Sequence, residues 1–150
     1  MESAVNIQKQ DIRLLSEVEL TAALQTLKQP AFRARQISEW LWQKGAHTFA
    51  EMTNLPLGLR EQLESLYDIR PIREDKVQYS SDGTIKSRYR LHDGHLIESV
   101  LIPVPEDQRY TVCVSSQVGC SLTCSFCATG RMKRVRNLDA AEIFDQVLLV

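Results

Sequence analysis

The chain has 150 residues, of which 43% are hydrophobic and 25% are charged, and its formal net charge is -1. This composition is typical of a folded globular protein and excludes a disordered, collagen-like or supercharged chain. The near balance of 18 basic against 19 acidic residues excludes a general polycation, so any contact with RNA has to be local.

The first residues, 1–10, have no basic flank followed by an apolar stretch, and no segment approaches the roughly 18 apolar residues of a membrane span. The 4 cysteines all lie between residues 113 and 127, whereas a disulfide framework spreads its cysteines across a small secreted chain. We therefore expect a cytoplasmic protein without a membrane anchor, whose cysteines form a metal or redox site.

Residues 16–68 predict a small all-helical unit. Ser16 and Glu19 have the spacing of a capping box, which predicts a helix that starts there and ends before Pro30. Further helices are predicted over about 31–44 and 56–67 from the spacing of their apolar residues. The side chains expected to face inward are Val18, Leu20, Ala23, Leu24, Leu27, Phe32, Ile37, Trp40, Leu41, Leu59, Leu63 and Leu66.

Beyond this unit the apolar residues alternate with a period of two, which predicts strands. The predicted strands are 76–80, 84–91, 96–102 and 110–115. Asp-Gly pairs at 82–83 and 93–94 are strong hairpin signals between them. On the second strand Lys86, Arg88 and Arg90 share one face, which is either a solvated sheet surface or a surface that faces RNA.

The last predicted element is a helix that begins near Asp139 and Glu142, which together form another N-terminal capping pattern. Its apolar side consists of Ala140, Ile143, Phe144, Val147 and Leu148. We expect this side to lack a cover within the chain, because little sequence follows it.

Cys120, Cys124 and Cys127 lie in one short loop. A structural zinc site usually takes its ligands as two separated pairs, whereas three closely spaced thiolates can bind three irons of a cubane cluster and leave the fourth iron open. The spacing favours an iron–sulfur site. A zinc site completed by Cys113, in an RNA-binding module without catalysis, is the alternative.

A basic stretch follows this loop directly, with Arg131, Lys133, Arg134 and Arg136 within six residues and no acid among them. The stretch indicates an anionic partner close to the cysteines, with a solvated surface loop as the alternative.

The cysteine motif, with Phe126 just before the last cysteine, resembles the signature of the radical S-adenosylmethionine (SAM) superfamily. The longer string 113–120, followed by 126–130 and 136–138, resembles more narrowly the RlmN family of RNA methyltransferases. Further segments that resemble this family are 32–37, 40–41, 52–56, 97–100 and 102–103.

The resemblance implies cofactors and ligands. Cys120, Cys124 and Cys127 would hold a [4Fe-4S] cluster whose open iron binds SAM, and Phe126 would lie beside the SAM adenine. The cluster would take its electron from a donor such as flavodoxin, and the enzyme would be a monomer.

The resemblance also implies catalytic roles. The family methylates carbon 2 of an adenine in 23S rRNA and in tRNA through a methyl-cysteine. Glu98 matches the acid that removes the ring proton, and Cys113 matches the cysteine that resolves the protein–RNA adduct by forming a disulfide. A related branch, which methylates carbon 8 of the same adenine, shares these motifs.

We expect a mixed α+β or α/β fold in three parts. Residues 1–68 would form a helical accessory domain that engages RNA, 69–108 a β-hairpin segment, and 109–150 the first β/α unit of a radical SAM partial (β/α) barrel. The superfamily's Gly-Glu-Pro stretch and the second catalytic cysteine are missing from the sequence. We therefore expect this chain to be the N-terminal part of a longer enzyme and to be inactive alone.

Overall fold

The structure, a computed structural model, describes residues 8–122, residue 125 and residues 131–150. The fold is mixed α/β, as predicted, and the chain divides into two compact units, Met1–Arg70 and Pro71–Val150. The helices are α1 (Glu17–Thr26), α2 (Phe32–Trp42), α3 (Leu57–Leu66) and α4 (Ala140–Leu149). The strands are β1 (Gln10–Asp11), β2 (Tyr67–Asp68), β3 (Arg73–Tyr79), β4 (Ile85–Arg90), β5 (Leu96–Val104), β6 (Arg109–Cys113), β7 (Gln117–Val118) and β8 (Arg136–Asn137). None of the helices in the described ranges has the length and apolarity that crossing a bilayer requires.

The first unit packs α1, α2 and α3 around one apolar core. The predicted capping box starts α1: the Glu19 N–H donates to Ser16 Oγ at 3.2 Å, and the Ser16 N–H donates to Glu19 Oε2 at 2.7 Å. The core contains Ile12, Leu20, Leu24, Ala34, Ile37, Leu41, Ala46, Phe49, Met52, Leu55, Leu59 and Leu63. The helices predicted for this unit are therefore confirmed.

Three side chains that were expected in this core are exposed instead: Val18 at 79%, Phe32 at 56% and Leu66 at 50%. Val18 and Phe32 lie in the first turn of their helices, and Leu66 ends α3. Helical spacing gives the side of a helix on which a residue lies, but it does not say how far along its axis the neighbouring helices cover it. The inward orientation of these three residues was a wrong prediction.

A buried ion pair between Asp11 and Arg13 is hydrogen-bonded to Arg70, near the other end of the first unit. Arg13 Nη2 donates to Asp11 Oδ2 at 3.1 Å and to the Arg70 carbonyl at 3.0 Å. The Arg70 N–H donates to Asp11 Oδ2 at 2.9 Å. These bonds hold β1 beside β2, with which it pairs in parallel.

The second unit is built on an antiparallel sheet with strand order β3-β4-β5-β6. Both predicted hairpin turns form. Asp82 Oδ1 accepts the Thr84 N–H at 2.9 Å, and Asp93 Oδ1 accepts the His95 N–H at 3.2 Å. The core of the unit contains Ile72, Tyr89, Leu91, Ile97, Val118 and Leu138.

The helix α4 buries its polar side. Glu142, Asp145 and Gln146 are 3%, 0% and 0% exposed, whereas Val147 and Leu148 on the apolar side are 56% and 43% exposed. The exposure of Val147 and Leu148 agrees with the expectation from the sequence, whereas Ile143 of the same side packs against the core of this unit. The burial of the polar side was not predicted, and it brings these polar groups to the strands that carry the candidate site.

Candidate active site

A hydrogen-bonded stem, in which residues 117–120 pair with 132–137, holds together the two ends of the cysteine segment 120–131. The strands β7 and β8 pair Val118 with Arg136. The Val135 N–H donates to the Val118 carbonyl at 2.8 Å, and the Cys120 N–H donates to the Met132 carbonyl at 3.1 Å. Cys120 is therefore fixed at the end of this stem.

Gly119 is the position in the stem that only glycine fits. Its φ of +72° lies in the left-handed region, and a Cβ at this position would lie 2.8 Å from the carbonyl carbon of Lys133. A side chain here would force apart the two strands that meet beside Cys120.

The expected cluster ligands are only partly described. Cys120 is half-buried, and its Sγ accepts the Leu122 N–H at 3.4 Å. Cys124, Cys127 and Phe126 lie outside the described residues, and among those that are described no three metal-binding side chains come together. The donors fit the implied cluster chemically, because three thiols within eight residues suit a cubane with one open iron. The N–H···Sγ bond also suits Cys120 as a thiolate ligand.

Glu98 lies on β5 at the wall of a cavity of about 280 Å³. Lys86, on β4, places its Nζ 3.0 Å from Glu98 Oε2, and each side chain is 43% exposed. The cavity is lined by Lys86, Arg88, Leu96, Ile97, Glu98, Ser115, Gln117, Gly119 and Met132. The same space therefore touches Glu98 and the residues on both sides of the cysteine segment.

Cys113 ends β6 with an exposed side chain, and it pairs with Val100 across the sheet. Residues two apart on a strand point to the same side, and paired residues do too. Cys113 therefore shares a sheet face with Glu98. Within the described part of the chain, Cys113 and Cys120 both carry free thiols.

The cations of β4 are paired with acids. A bulge in β3 between Glu74 and Lys76 inserts Asp75 into the sheet edge. Arg88 Nε donates to Asp75 Oδ2 at 2.6 Å, and Arg90 Nη2 donates to Asp75 Oδ1 at 2.9 Å. Hydrogen bonds from Arg88, and then from Arg90, hold the pKa of Asp75 below its ordinary value. This sheet face is a charge-paired surface.

The basic stretch divides into two parts. Arg131, Lys133 and Arg134 are exposed. Arg136 instead donates twice to Glu142, at 2.9 and 2.7 Å, and once to Asp93 Oδ2 at 2.8 Å. Arg136 thus ties the end of the stem to the turn before β5 and to the start of α4.

These bonds shift two pKa values. The Glu142 carboxylate first, and Asp93 after it, raise the pKa of Arg136 above its ordinary value. Burial alone would raise the pKa of Asp93, but the hydrogen bonds from Arg136 and His95 outweigh it and leave that pKa well below its ordinary value. Arg136 and Asp93 are therefore held in their ionised forms near neutral pH.

The sequence did not indicate the contacts that Asp75, Lys86 and Gln146 make in this region. Glu142 and Gln146 are one helical turn apart, so a polar stripe along α4 was visible in the sequence. No sequence pattern indicated that this stripe would be buried. No sequence pattern indicated the bulge that brings Asp75 to the two arginines.

Comparisons with known proteins converge on one family. Residues 11–69 match the family model described as the ribosomal RNA large subunit methyltransferase N-terminal domain (RlmN_N). The chain is 53% identical over 146 residues to the probable dual-specificity RNA methyltransferase RlmN of Flavobacterium psychrophilum, which covers 97% of this chain and 42% of that protein. It is 48% identical over 140 residues to the dual-specificity RNA methyltransferase RlmN of Geobacter sulfurreducens, which covers 93% of this chain and 38% of the relative.

A solved structure agrees with these matches. The crystal structure of a radical SAM methyltransferase from Sphaerobacter thermophilus is similar with a TM-score of 0.76 and 41% sequence identity, over 93% of this chain and 40% of that one. The chain spans about two fifths of the length of the relatives that it matches.

Proposed function

Because the chain belongs to the RlmN family, we propose that the protein to which it contributes is a radical SAM methyltransferase that acts on RNA. The observation that carries the proposal is the cavity that touches both Glu98 and the stem of the cysteine segment. The proposed substrate is an adenine of 23S rRNA and of tRNA, methylated at carbon 2.

Cys120, Cys124 and Cys127 would hold the [4Fe-4S] cluster, and Phe126 would contact SAM. When bound, the cluster and SAM supply the one-electron chemistry that turns an unreactive methyl group and an aromatic carbon into reaction partners. The described residues contribute the fixed position of Cys120, since its N–H is bonded to the carbonyl of Met132 across the stem.

Glu98 is the proposed base. Its carboxylate lines the cavity and can accept the proton that the adenine ring loses when aromaticity returns. Lys86 Nζ, 3.0 Å from Glu98 Oε2, orients the carboxylate. Cys113 lies on the same sheet face with its side chain exposed, as a cysteine that forms a disulfide to release a protein–RNA adduct requires.

RNA would contact two regions of the chain. Arg131, Lys133 and Arg134 are exposed beside the cysteine segment, where a phosphate backbone can approach them. The helical unit at 11–69, which matches the family's N-terminal domain, is the second proposed region. We also propose that β6 and α4 begin the partial (β/α) barrel that the resemblance to the radical SAM superfamily implies.

The metal content of two cysteine variants tests this proposal. The protein is purified anaerobically, reconstituted with iron and sulfide, and compared with Cys120→Ala and Cys113→Ala. We expect the unmodified protein and Cys113→Ala to be brown, with about four irons per chain, and Cys120→Ala to lose the iron. A colourless protein with one zinc, lost equally in both variants, would instead support a four-cysteine zinc module.

RNA methylation tests the reaction itself. The enzyme as the cell expresses it is given SAM, a reductant and unmodified 23S rRNA or tRNA, and the nucleosides are identified by mass spectrometry. We expect methylation at carbon 2 of adenosine, and its loss in Cys113→Ala. Methylation at carbon 8 would place the protein in the related branch, and a loaded protein that leaves RNA unmodified would overturn the proposal.

A further inference from the structure

Gln146 is a buried polar residue of α4 with several hydrogen-bond partners in the second unit. Its side chain is 0% exposed. Its Oε1 accepts the Ser115 N–H and the Ser99 hydroxyl, both at 2.8 Å. Its Nε2 donates to the Ser115 carbonyl at 2.8 Å and to the Glu142 carbonyl at 3.2 Å. A buried amide with all of these partners has one favoured position, because moving it leaves several polar groups unpaired.

The bonds to Ser115 take the place of the strand pairing that ends at Cys113. The register of β5 with β6 runs from Val104 to Val100, which pairs with Cys113, and the ladder stops there. Beyond it, the main-chain N–H and carbonyl of Ser115 both bond to the Gln146 amide. A carboxamide offers the same donor and acceptor as a peptide group, so Gln146 continues the pairing where the backbone ladder ends.

Ser115 connects Gln146 to the backbone of Glu98, the candidate base. The Ser115 hydroxyl donates to the Glu98 carbonyl at 2.7 Å. Ser99, the residue after Glu98, donates to the same Gln146 oxygen. Glu98 and Ser115 also line the same cavity. Through these bonds the Gln146 amide fixes the backbone of Glu98 relative to the segment between Cys113 and the stem.

We propose that Gln146 is a positioning residue, which sets the distance between the Glu98 carboxylate and the stem that carries Cys120 through its bonds to Ser115 and Ser99. This inference rests on the proposed function, because it assigns a purpose to the placement of Glu98. Gln146 itself is 0% exposed and lines no part of the cavity wall that holds Glu98. It acts through the backbone of its partners.

Ser115→Ala separates this role from simple stabilisation of the fold. The variant removes the bond to the Glu98 carbonyl and keeps both main-chain bonds to Gln146. We expect kcat for RNA methylation to fall about 10- to 100-fold, since small misplacements of reacting groups have effects of that size. The KM for RNA, the iron content and the cleavage of SAM should not change. Ser115→Thr restores the hydroxyl and should restore kcat.

Gln146→Met tests whether the Gln146 amide is the group that positions Glu98. The side chain keeps its length and loses its hydrogen bonds, so we expect a larger fall in kcat than in Ser115→Ala. Amide hydrogen exchange at Ser115 should also become faster, which is a readout independent of turnover. Gln108→Met is the matched control, because Gln108 is an exposed glutamine between β5 and β6 of the same unit, and it should leave both quantities unchanged.

The outcomes separate the two proposals. An unmodified enzyme that loads its cluster and methylates no RNA contradicts the proposed function. An active enzyme in which Ser115→Ala retains full kcat contradicts the positioning role and leaves the function standing. A fall in melting temperature and iron content in Gln146→Met, with Ser115→Ala fully active, assigns Gln146 a structural role only.

Discussion

Lys86 and Glu98 form a diagonal ion pair across β4 and β5. In the register Lys86 lies opposite Val100, and Glu98 lies opposite Arg88, yet Lys86 Nζ approaches Glu98 Oε2 to 3.0 Å. Diagonal neighbours on one sheet face are within reach of long side chains. Because the pair lies on the cavity wall, it fixes the direction of the one carboxylate among the cavity-lining residues.

Lys86→Met should lower RNA methylation at most about fivefold. An ion pair between half-exposed side chains is worth about 0.2–1 kcal/mol, and that energy limits the loss of rate. Glu98→Gln should lower the rate about 100-fold or more, which is the contribution of a general base. The measurement is the initial rate of methylated adenosine formation. Lys86→Arg keeps the charge and serves as the control; equal losses in Lys86→Met and Glu98→Gln would show that Lys86 does more than orient the carboxylate.

Gly119→Ala should prevent cluster binding while the sheet still folds. The new Cβ would lie within 2.8 Å of the Lys133 carbonyl carbon, at a φ of +72° that alanine avoids. The stem that holds Cys120 would open on the side of the cysteine segment. Iron content after reconstitution measures the loss, and circular dichroism reports whether the strands persist.

Gly58→Ala is the matched control for this change. Gly58 lies in the first turn of α3, and a Cβ there would meet no atom within 4 Å. Alanine should stabilise the first unit by about 0.4–1 kcal/mol and leave the iron content unchanged. A Gly119→Ala protein with a full complement of iron would show that the stem is not needed to hold the cluster.

Replacing Arg131, Lys133 and Arg134 together by Gln should reduce the salt dependence of RNA binding. If each contacts one phosphate of an unpaired strand, the slope of log affinity against log salt should become less steep by about 2.1. Fluorescence anisotropy with labelled RNA at several salt concentrations measures this slope. Arg109→Gln is the control, because Arg109 is an exposed arginine already paired with Asp107 at 2.8 Å. An unchanged slope in the triple variant would exclude these residues from the RNA contact.

The sequence predicted the local structure well where one short-range rule was sufficient. The capping pairs at Ser16 and Asp139 and the Asp-Gly turns formed as expected, because each depends on residues within four positions of one another. The helices and the four strands of the antiparallel sheet followed from apolar periodicity for the same reason, whereas the two-residue strands β1, β2, β7 and β8 were not predicted.

What the sequence did not predict depends on contacts between distant residues. Gln146 bonds to Ser115, 31 positions away, and Asp75 reaches Arg88 across a bulge that no local pattern indicates. The polar stripe of α4 was visible, but its burial depends on the main-chain groups left unpaired where β6 ends. The candidate residues could thus be named from the sequence, whereas the groups that hold them in place could not.

Arg136→Met should destabilise the second unit by about 3 kcal/mol. Glu142 is 3% exposed, and the variant removes the guanidinium that pairs with its carboxylate, although the Asp139 N–H still donates to it at 3.0 Å. Removing the charged partner of a buried ion typically costs at least that much. The expected loss of stability is at the low end of this range because the Arg136 side chain is 28% exposed. Hydrogen exchange at the fully buried Tyr89 measures the change within this unit. Lys133→Met, at an exposed cation of the same stretch, is the control and should have little effect.

Asp93 should make the stability of the second unit depend on acid pH. Its pKa is lowered in the folded protein, so its ion pair with Arg136 contributes stability above the ordinary carboxyl pKa of about 3.9 and loses it as the pH falls further. The difference in stability between the unmodified protein and Asp93→Asn should be present at pH 5 and should shrink below about pH 4. Urea unfolding at a series of pH values, followed by exchange of the sheet amides, gives this difference. Asp107→Asn removes an exposed carboxylate of the same unit and should show a much smaller effect; a difference for Asp93→Asn that stays constant into strong acid would contradict the assigned ion pair.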